Sequence, residues 1–208
     1  MKKHSTIGLF FVLFLGFCLI STPATAQKME TLLSGDVSHG GFGGPVVKFS
    51  SVDGSLGVWV GGRGGWIIGF SPEHSLSIGG GGYGLATNHL APVQDNPFLR
   101  KYAEVGYGGL ELEYTNRSYQ IAHFTISTLI GAGGVGLRDG DYESIGNKAE
   151  AFFVMEPGLH LELNVTHFFR VATGLSYRFV SGVSRDGFKD GDFSGLNGVL
   201  TFKFGSFR

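Results

Sequence analysis

The chain has almost no cysteine and no strong excess of either charge. Cys18 is the only cysteine among 208 residues, so no internal disulfide can hold the fold together. The 16 basic and 17 acidic residues give a net charge of −1 at pH 7. Proteins that bind nucleic acid carry a basic patch or a basic excess, so this balance argues against nucleic acid as a partner.

Long apolar runs are missing as well, apart from one near the start. Ile7–Ile20 is short of the roughly 20 residues that a membrane helix needs. This run follows the basic residues Lys2 and Lys3. It is followed by Ala24-Thr25-Ala26, which places small residues at the −3 and −1 positions of a cleavage site. We predict a cleaved signal peptide over residues 1–26, with a retained anchor as the alternative. The mature chain, with 14 basic and 17 acidic residues, could then enter a membrane only as strands.

What the chain does have is glycine and aromatic side chains, arranged with a period of two. The 36 glycines accompany 13% aromatic residues, whereas a disordered chain has few aromatics. Between residues 151 and 180, apolar positions such as Leu161 and Leu163 alternate with polar ones such as Glu162, as they do in a strand with two different faces. The pattern predicts eight strands, with a β-bulge at Gly108-Gly109, where the alternation shifts by one residue. The predicted strands cover residues 45–52, 55–70, 75–88, 101–115, 119–137, 150–166, 168–182 and 193–207.

The predicted connections differ in length between the two ends of the strands. Those at 71–74, at 116–118 and near His167 are short, whereas 89–100, 138–149 and 183–192 are long and polar; Asp53-Gly54 is a tight turn at the second end. Outer-membrane barrels have an even number of strands, short periplasmic turns and longer loops outside the cell. We therefore predict an all-β fold, an eight-stranded antiparallel transmembrane up-and-down β-barrel over residues 45–208, with a periplasmic lead-in over 27–44.

The aromatic residues sort by height along the predicted strands, which indicates the two girdles of a membrane-spanning barrel. A soluble β-sandwich is the alternative fold, but it gives no reason for loops or aromatics to sort by end. The girdle at the short turns would contain Phe70, Tyr114, Tyr119, Phe168, Phe169, Phe204 and Phe207. The girdle at the long loops would contain Trp59, Tyr83, Tyr102, Phe152, Phe153, Phe179 and Phe193.

If the apolar faces meet lipid, the opposite faces line the lumen and carry charges of both signs on different walls. An eight-stranded barrel is narrow enough for side chains to fill it, and buried charges are tolerated when they pair. We predict a salt-bridge network that closes the lumen, with a wet channel as the alternative. The turn near His167 places Arg178 across from Glu156 as a direct pair. The predicted network contains Lys48, Arg63, Glu104, Glu111, Glu113, His123, Glu156, His160, Glu162, Arg170, Arg178 and Lys203.

Three motifs suggest a ligand or a reaction, but each lacks a part that its chemistry needs. Residues 131–136 fit G-x-G-x-x-G but lead into a loop rather than the helix that would bind a pyrophosphate. The acidic stretch at 139–143 lacks the spacing of a calcium-binding loop, so a solvated loop is the preferred interpretation and a divalent cation the alternative. His123, Ser127 and His160 share a face without an evident acid to complete a catalytic set. We therefore predict no catalytic residue, cofactor or metal.

The mature segment resembles the small eight-stranded outer-membrane barrels of the OmpA-like type. The phrases Gly41-Phe42-Gly43-Gly44-Pro45 and Gly61-Gly62-Arg63-Gly64-Gly65-Trp66 resemble a glycine-rich group of such barrels from Bacteroidetes-like bacteria. The resemblance implies a fold and a location, the outer membrane of a Gram-negative cell, but no activity. The partners it implies are outer-membrane lipid, lipopolysaccharide and the barrel assembly machinery, with the barrel a monomer.

Four functions are compatible with these features. The preferred hypothesis is a non-enzymatic barrel that acts structurally or binds a surface ligand through its extracellular loops. A narrow pore would differ in leaving the lumen charges unpaired, and a lipid-modifying enzyme would need a nucleophile at the rim. A secreted soluble barrel that carries an apolar ligand would need its apolar face turned inward.

Overall fold

A computed structural model of the protein describes residues 37–92, 100–138, 149–184 and 187–207. The strands in these residues form one closed barrel in chain order, each antiparallel to its neighbours, so the predicted up-and-down barrel is confirmed. The predicted signal peptide lies outside the described residues. The strands are β1 (Ser38–Val52), β2 (Ser55–Gly69), β3 (His74–Leu85), β4 (Tyr102–Asn116), β5 (Ala122–Arg138), β6 (Glu150–Asn164), β7 (Phe169–Ser181) and β8 (Gly195–Ser206), and a short helix α1 (Asp190–Phe193) precedes β8.

The two ends of the barrel differ in their connections. The short-turn end holds residues 70–73, 117–121 and 165–168, and the described residues at the long-loop end are 53–54, 86–92, 100–101, 149, 182–184 and 187–194. Residues 93–99, 139–148 and 185–186 of the predicted loops lie outside the described residues, as does the acidic stretch at 139–143. That the long loops face outside the cell therefore stays a prediction. No helix in the described parts of the chain is long and apolar enough to cross a membrane.

Alternation along each strand separates an apolar outward face from an inward face that is buried. On β6, Leu159 and Leu163 point outward and are 55% and 42% exposed, whereas Glu162 between them points inward and is 1% exposed. Phe153 of the same strand and Phe179 of β7 are also outward and half exposed. The outward face of the wall is thus apolar and exposed, whereas a water-soluble barrel turns polar side chains outward.

The first strand begins earlier than the sequence indicated. Residues 38–44 belong to β1 rather than to a lead-in, and Phe42 pairs with Gly65 of β2 and with Gly205 of β8. The glycine at position 44 allows a close approach of the neighbouring strand. At Gly44 an added Cβ would lie only 1.7 Å from the carbonyl oxygen of Phe202. The lead-in boundary at residue 44 was therefore wrong.

The predicted bulge at Gly108-Gly109 is absent from β4. Pairing with β5 runs without a shift from Tyr107↔Gly133 through Gly109↔Gly131 to Glu111↔Leu129. The inward side chains of β4 change from apolar at its start to charged further along, and this change imitated a shift in the alternation. Glu104 therefore points outward and is exposed, so its predicted place in the lumen was wrong.

The predicted girdle at the long-loop end was wrong for four of its seven members. Trp59, Tyr83, Phe152 and Phe193 are at most 4% exposed, because they point into the barrel. Sorting aromatics by height ignored the face on which each one lies. Phe153 and Phe179 do lie outside, beside Tyr177, whose ring is 4.5 Å from that of Phe179.

The candidate functional site, a filled lumen

The half of the lumen nearer the short-turn end is filled by ion pairs, here called the charged cluster. Arg63 of β2 lies 3.0 Å from Glu111 and 2.8 Å from Glu113, both on β4. Lys203 of β8 bridges two carboxylates, at 2.6 Å from Glu113 and 2.5 Å from Glu162 of β6. The cluster consists of Arg63, Glu111, Glu113, Glu162, Arg170 and Lys203, so its three acids and three bases balance.

The charged cluster ends at the short-turn mouth of the barrel. Arg170 of β7 lies 3.0 Å from Glu162 and donates a hydrogen bond to the carbonyl oxygen of Ser118. His123 of β5 is 3.4 Å from the same Glu162 and contacts the carbonyl oxygen of Gln120 through its other ring nitrogen. The guanidinium carbon of Arg170 lies 3.9 Å from the ring centre of Phe207, within the range of a cation–π contact.

A second, smaller group of charges lies nearer the middle of the barrel. Lys48 of β1 is 2.8 Å from Glu156 of β6, and its ammonium group stands 3.4 Å over the ring of Tyr83. Glu156 also accepts hydrogen bonds from the hydroxyls of Tyr107, at 2.6 Å, and Ser176, at 2.5 Å. Each oxygen of this buried carboxylate therefore has a partner, as a buried charge requires.

Arg178 does not form the direct ion pair with Glu156 that the sequence predicted. The register is as expected, with Asn164 opposite Arg170 and Val154 opposite Val180. The guanidinium instead stacks 4.0 Å from the ring of Trp59 and donates to the carbonyl oxygen of Phe193, at 2.6 Å. Lys48 and the Tyr107 hydroxyl reach Glu156 across the lumen, and Tyr107 also accepts a long bond of 3.4 Å from Arg178.

Apart from the buried Arg178, the half of the lumen nearer the long-loop end is lined mainly by apolar side chains, and a loop closes it. Phe188 and Phe193, from the connection between β7 and β8, are at most 1% exposed, and their ring centres lie 5.2 Å apart. Asp190 holds this connection in place by accepting hydrogen bonds from the backbone N–H groups of Gly182 and Val183, at 2.8 and 2.7 Å. The apolar plug comprises Phe188, Phe193 and Val183 of this connection together with Val52, Trp59, Val105, Val135, Leu137, Phe152, Val154 and Val180.

Sequence reasoning missed the apolar plug, although a signal was present. Phe188 and Phe193 stand in a connection that is otherwise charged and glycine-rich, where two aromatics have no reason to be exposed to water. The inward residues at the long-loop ends of β4 and β5, such as Val105 and Val135, are also apolar, and they lie at the end of the barrel to which this connection belongs. A loop that carries aromatics beside an apolar mouth predicts that the loop folds inward.

The structure also brings together the serine and histidine that could suggest an enzyme. Ser127 Oγ and His160 Nε2 are 3.0 Å apart, and both residues are buried in the wall between β5 and β6. The cavity that they line leaves only about 10 Å³ for the centre of a water molecule, too little for a substrate. In the described ranges, no three His, Cys, Asp or Glu side chains are placed to hold a metal ion.

No protein-family profile matches the chain, and no curated protein matches it. Among solved structures it is similar to Neisserial surface protein A, with a TM-score of 0.48 and 9% identity over 83% of this chain and 99% of that one. It is also similar to Ail, the attachment invasion locus protein of Yersinia pestis, in complex with the heparin analogue sucrose octasulfate. That match has a TM-score of 0.47 and 11% identity, and it covers 80% of this chain and 97% of Ail. A second Ail structure gives 0.43 and 12% over the same shares. Such low identities say nothing about what this chain binds.

Proposed function

We propose that the chain is an exported barrel of the bacterial outer membrane that is not an enzyme. It acts structurally or binds a surface ligand through its long loops, and its lumen is closed. The observation that carries this proposal is the apolar outward face of the wall, with charged side chains buried behind it. Residues such as Leu159 and Phe153 stand outside on the wall while Glu162 and Lys203 are buried inside it. A lipid environment accounts for this arrangement, and a soluble carrier of apolar ligands would need the opposite one.

Closure of the lumen is supported by both of its halves. In the charged half the ion pairs join β2, β4, β6, β7 and β8 across the interior, and in the other half Phe188 and Phe193 fill the mouth. Two cavities within the lumen each leave only about 10 Å³ for the centre of a water molecule. Conduction would require a continuous column of water, so this filling favours a closed barrel over a narrow pore.

Conductance in planar bilayers tests the closure. The purified mature protein should insert and give no ion-conducting steps, while a porin inserted under the same conditions gives them. Steps that recur with the wild-type protein would favour the pore instead. Protection of the inserted protein from added protease shows that a bilayer without conductance steps does contain the protein.

Cysteine labelling tests the membrane topology, because cleavage of the predicted signal peptide leaves no native cysteine. Ser55→Cys, exposed at the long-loop end, should react with a membrane-impermeant maleimide on intact cells. Gln120→Cys, exposed at the short-turn end, is the matched control and should react only after the outer membrane is permeabilised. The reverse pattern would invert the topology, and labelling of both on intact cells would contradict a membrane-spanning barrel.

A further inference from the structure

A small cavity lies in the lumen between the charged cluster and the Lys48–Glu156 pair. Arg63, Glu111, His160 and Thr201 line it from four different strands, and each is at least nine-tenths buried. About 10 Å³ of it is open to the centre of a water molecule, which is roughly the space that one water needs. Its volume therefore limits any occupant to a single small molecule or ion.

These four side chains share a second property. Arg63 Nε, Glu111 Oε2, His160 Nδ1 and Thr201 Oγ1 are all buried, and none has a hydrogen-bond partner among the described residues. A buried polar atom without a partner is costly, and most such atoms in native proteins are paired with protein or with ordered water. Four residues that line one cavity each carry such an atom, and this points to an occupant with which they bond.

We propose that this central cavity binds one ordered water molecule. Water can accept two hydrogen bonds and donate two, and buried water typically makes about three. Arg63 Nε and the Thr201 hydroxyl supply two donors. Glu111 Oε2 supplies one acceptor, and His160 Nδ1 supplies a second when the ring proton is on Nε2 and is donated to Ser127. The four atoms thus match the bonding pattern of a single water.

The charges around the cavity argue against an ion in this place. An anion would lie beside the carboxylates of Glu111 and Glu156, and a cation would lie beside Lys48 and Arg63. A neutral molecule that both donates and accepts avoids either repulsion. The bound water would join Arg63 and Glu111 of the charged cluster to His160 and Thr201 on the other side of the lumen, where no direct bond joins them.

A crystal structure of the mature protein tests the proposal directly. At a resolution that shows ordered water at the barrel rims, one water should appear within hydrogen-bonding distance of at least two of the four atoms. A dry cavity in the wild-type protein would overturn the proposal. Crystals soaked in sodium bromide provide the test for an ion. An anomalous bromide peak in the cavity would show that a halide occupies it in place of water and would overturn the proposal.

Two threonine variants make the test specific. Thr201→Val removes one hydroxyl from the cavity with little change of shape, so the water should be lost or clearly weakened. Thr125→Val is the matched control: its hydroxyl is equally buried and equally without a partner, but it does not line this cavity. The water should persist in that variant, and equal loss in both variants would contradict the site. The wild-type map decides the question even if neither variant folds, and none of these outcomes depends on the conductance test.

Discussion

The two halves of the lumen fill the same narrow space with opposite chemistry. Toward the long loops, Trp59, Val135 and Phe193 belong to an apolar filling that packs around the single buried guanidinium of Arg178. Toward the short turns, Arg63 and Lys203 are held by carboxylates on other strands. An apolar filling tolerates the loss of one contact, whereas a filling of buried charges depends on every partner because an unpaired charge inside the barrel is very costly.

The two fillings also come from different parts of the chain. The charged cluster is built entirely from strands, whose hydrogen-bonded register fixes the height of every side chain. The apolar plug includes Phe188, Phe193 and Val183 from a connection, and it depends on Asp190 to hold that connection in place. The charged half should therefore be the more rigid of the two, and the apolar half should be the one that can open locally.

The largest effect should come from removing the base at the centre of the charged cluster. Lys203→Met leaves Glu113 and Glu162 with one cation fewer, and breaking a buried pair in this way costs about 3–5 kcal/mol. Urea unfolding in detergent micelles measures the loss.

A double variant shows whether the loss comes from the charge. Adding Glu162→Gln to Lys203→Met removes the uncompensated carboxylate, so a substantial part of the stability should return. Losses that simply add would mean that water already solvates these charges, and the contrast between the two halves would disappear.

How far the sequence could anticipate this lumen depends on the kind of contact. Alternation assigned the inward faces of β6 and β7, and the predicted position of Arg170 opposite Asn164 is present. Apart from Arg170–Glu162 on the neighbouring strands β7 and β6, it could not choose the ion pairs, because they cross the lumen between strands that are not neighbours. Lys203 of β8 meets Glu113 of β4, and Lys48 of β1 meets Glu156 of β6. Such contacts depend on the closed cross-section of the barrel, and hydrogen-bonded pairing between neighbouring strands does not contain that information.

The wrong placement of Glu104 and the missed apolar plug have a related cause. On β4 the sequence pattern imitates a shift at Gly108-Gly109, because a lumen of uniform polarity would require one. With an apolar half and a charged half, Val105 and Glu113 lie on the same inward face without any shift. The plug itself comes from a segment without periodicity, so no strand pattern could place it.

The next effect concerns the wall that both halves share. Leu159 stands outside near the middle of β6, where an arginine facing lipid should cost about 2–4 kcal/mol. Ile121→Arg is the control, because Ile121 is 78% exposed in the turn between β4 and β5, where the cost near the interface is about 0–1 kcal/mol. Folding into vesicles followed by urea titration compares them. Equal costs would mean that the outward face does not meet lipid.

The smallest effect offers the sharpest comparison of the two halves, because it exchanges the same pair of side chains in opposite directions. Val154→Thr adds a hydroxyl to the apolar plug, where Val154 is fully buried, and should cost about 1–3 kcal/mol. Thr125→Val removes a buried hydroxyl that has no hydrogen-bond partner among the described residues, so it should be close to neutral or stabilising. Valine and threonine have nearly the same shape, which leaves the polarity of the surroundings as the main difference between the two experiments. Unfolding free energies in the same micelles measure both. If Val154→Thr costs nothing, water reaches the outer half and the plug is not dry. If Thr125→Val costs as much as Val154→Thr, the hydroxyl of Thr125 makes a bond that stabilises the charged half.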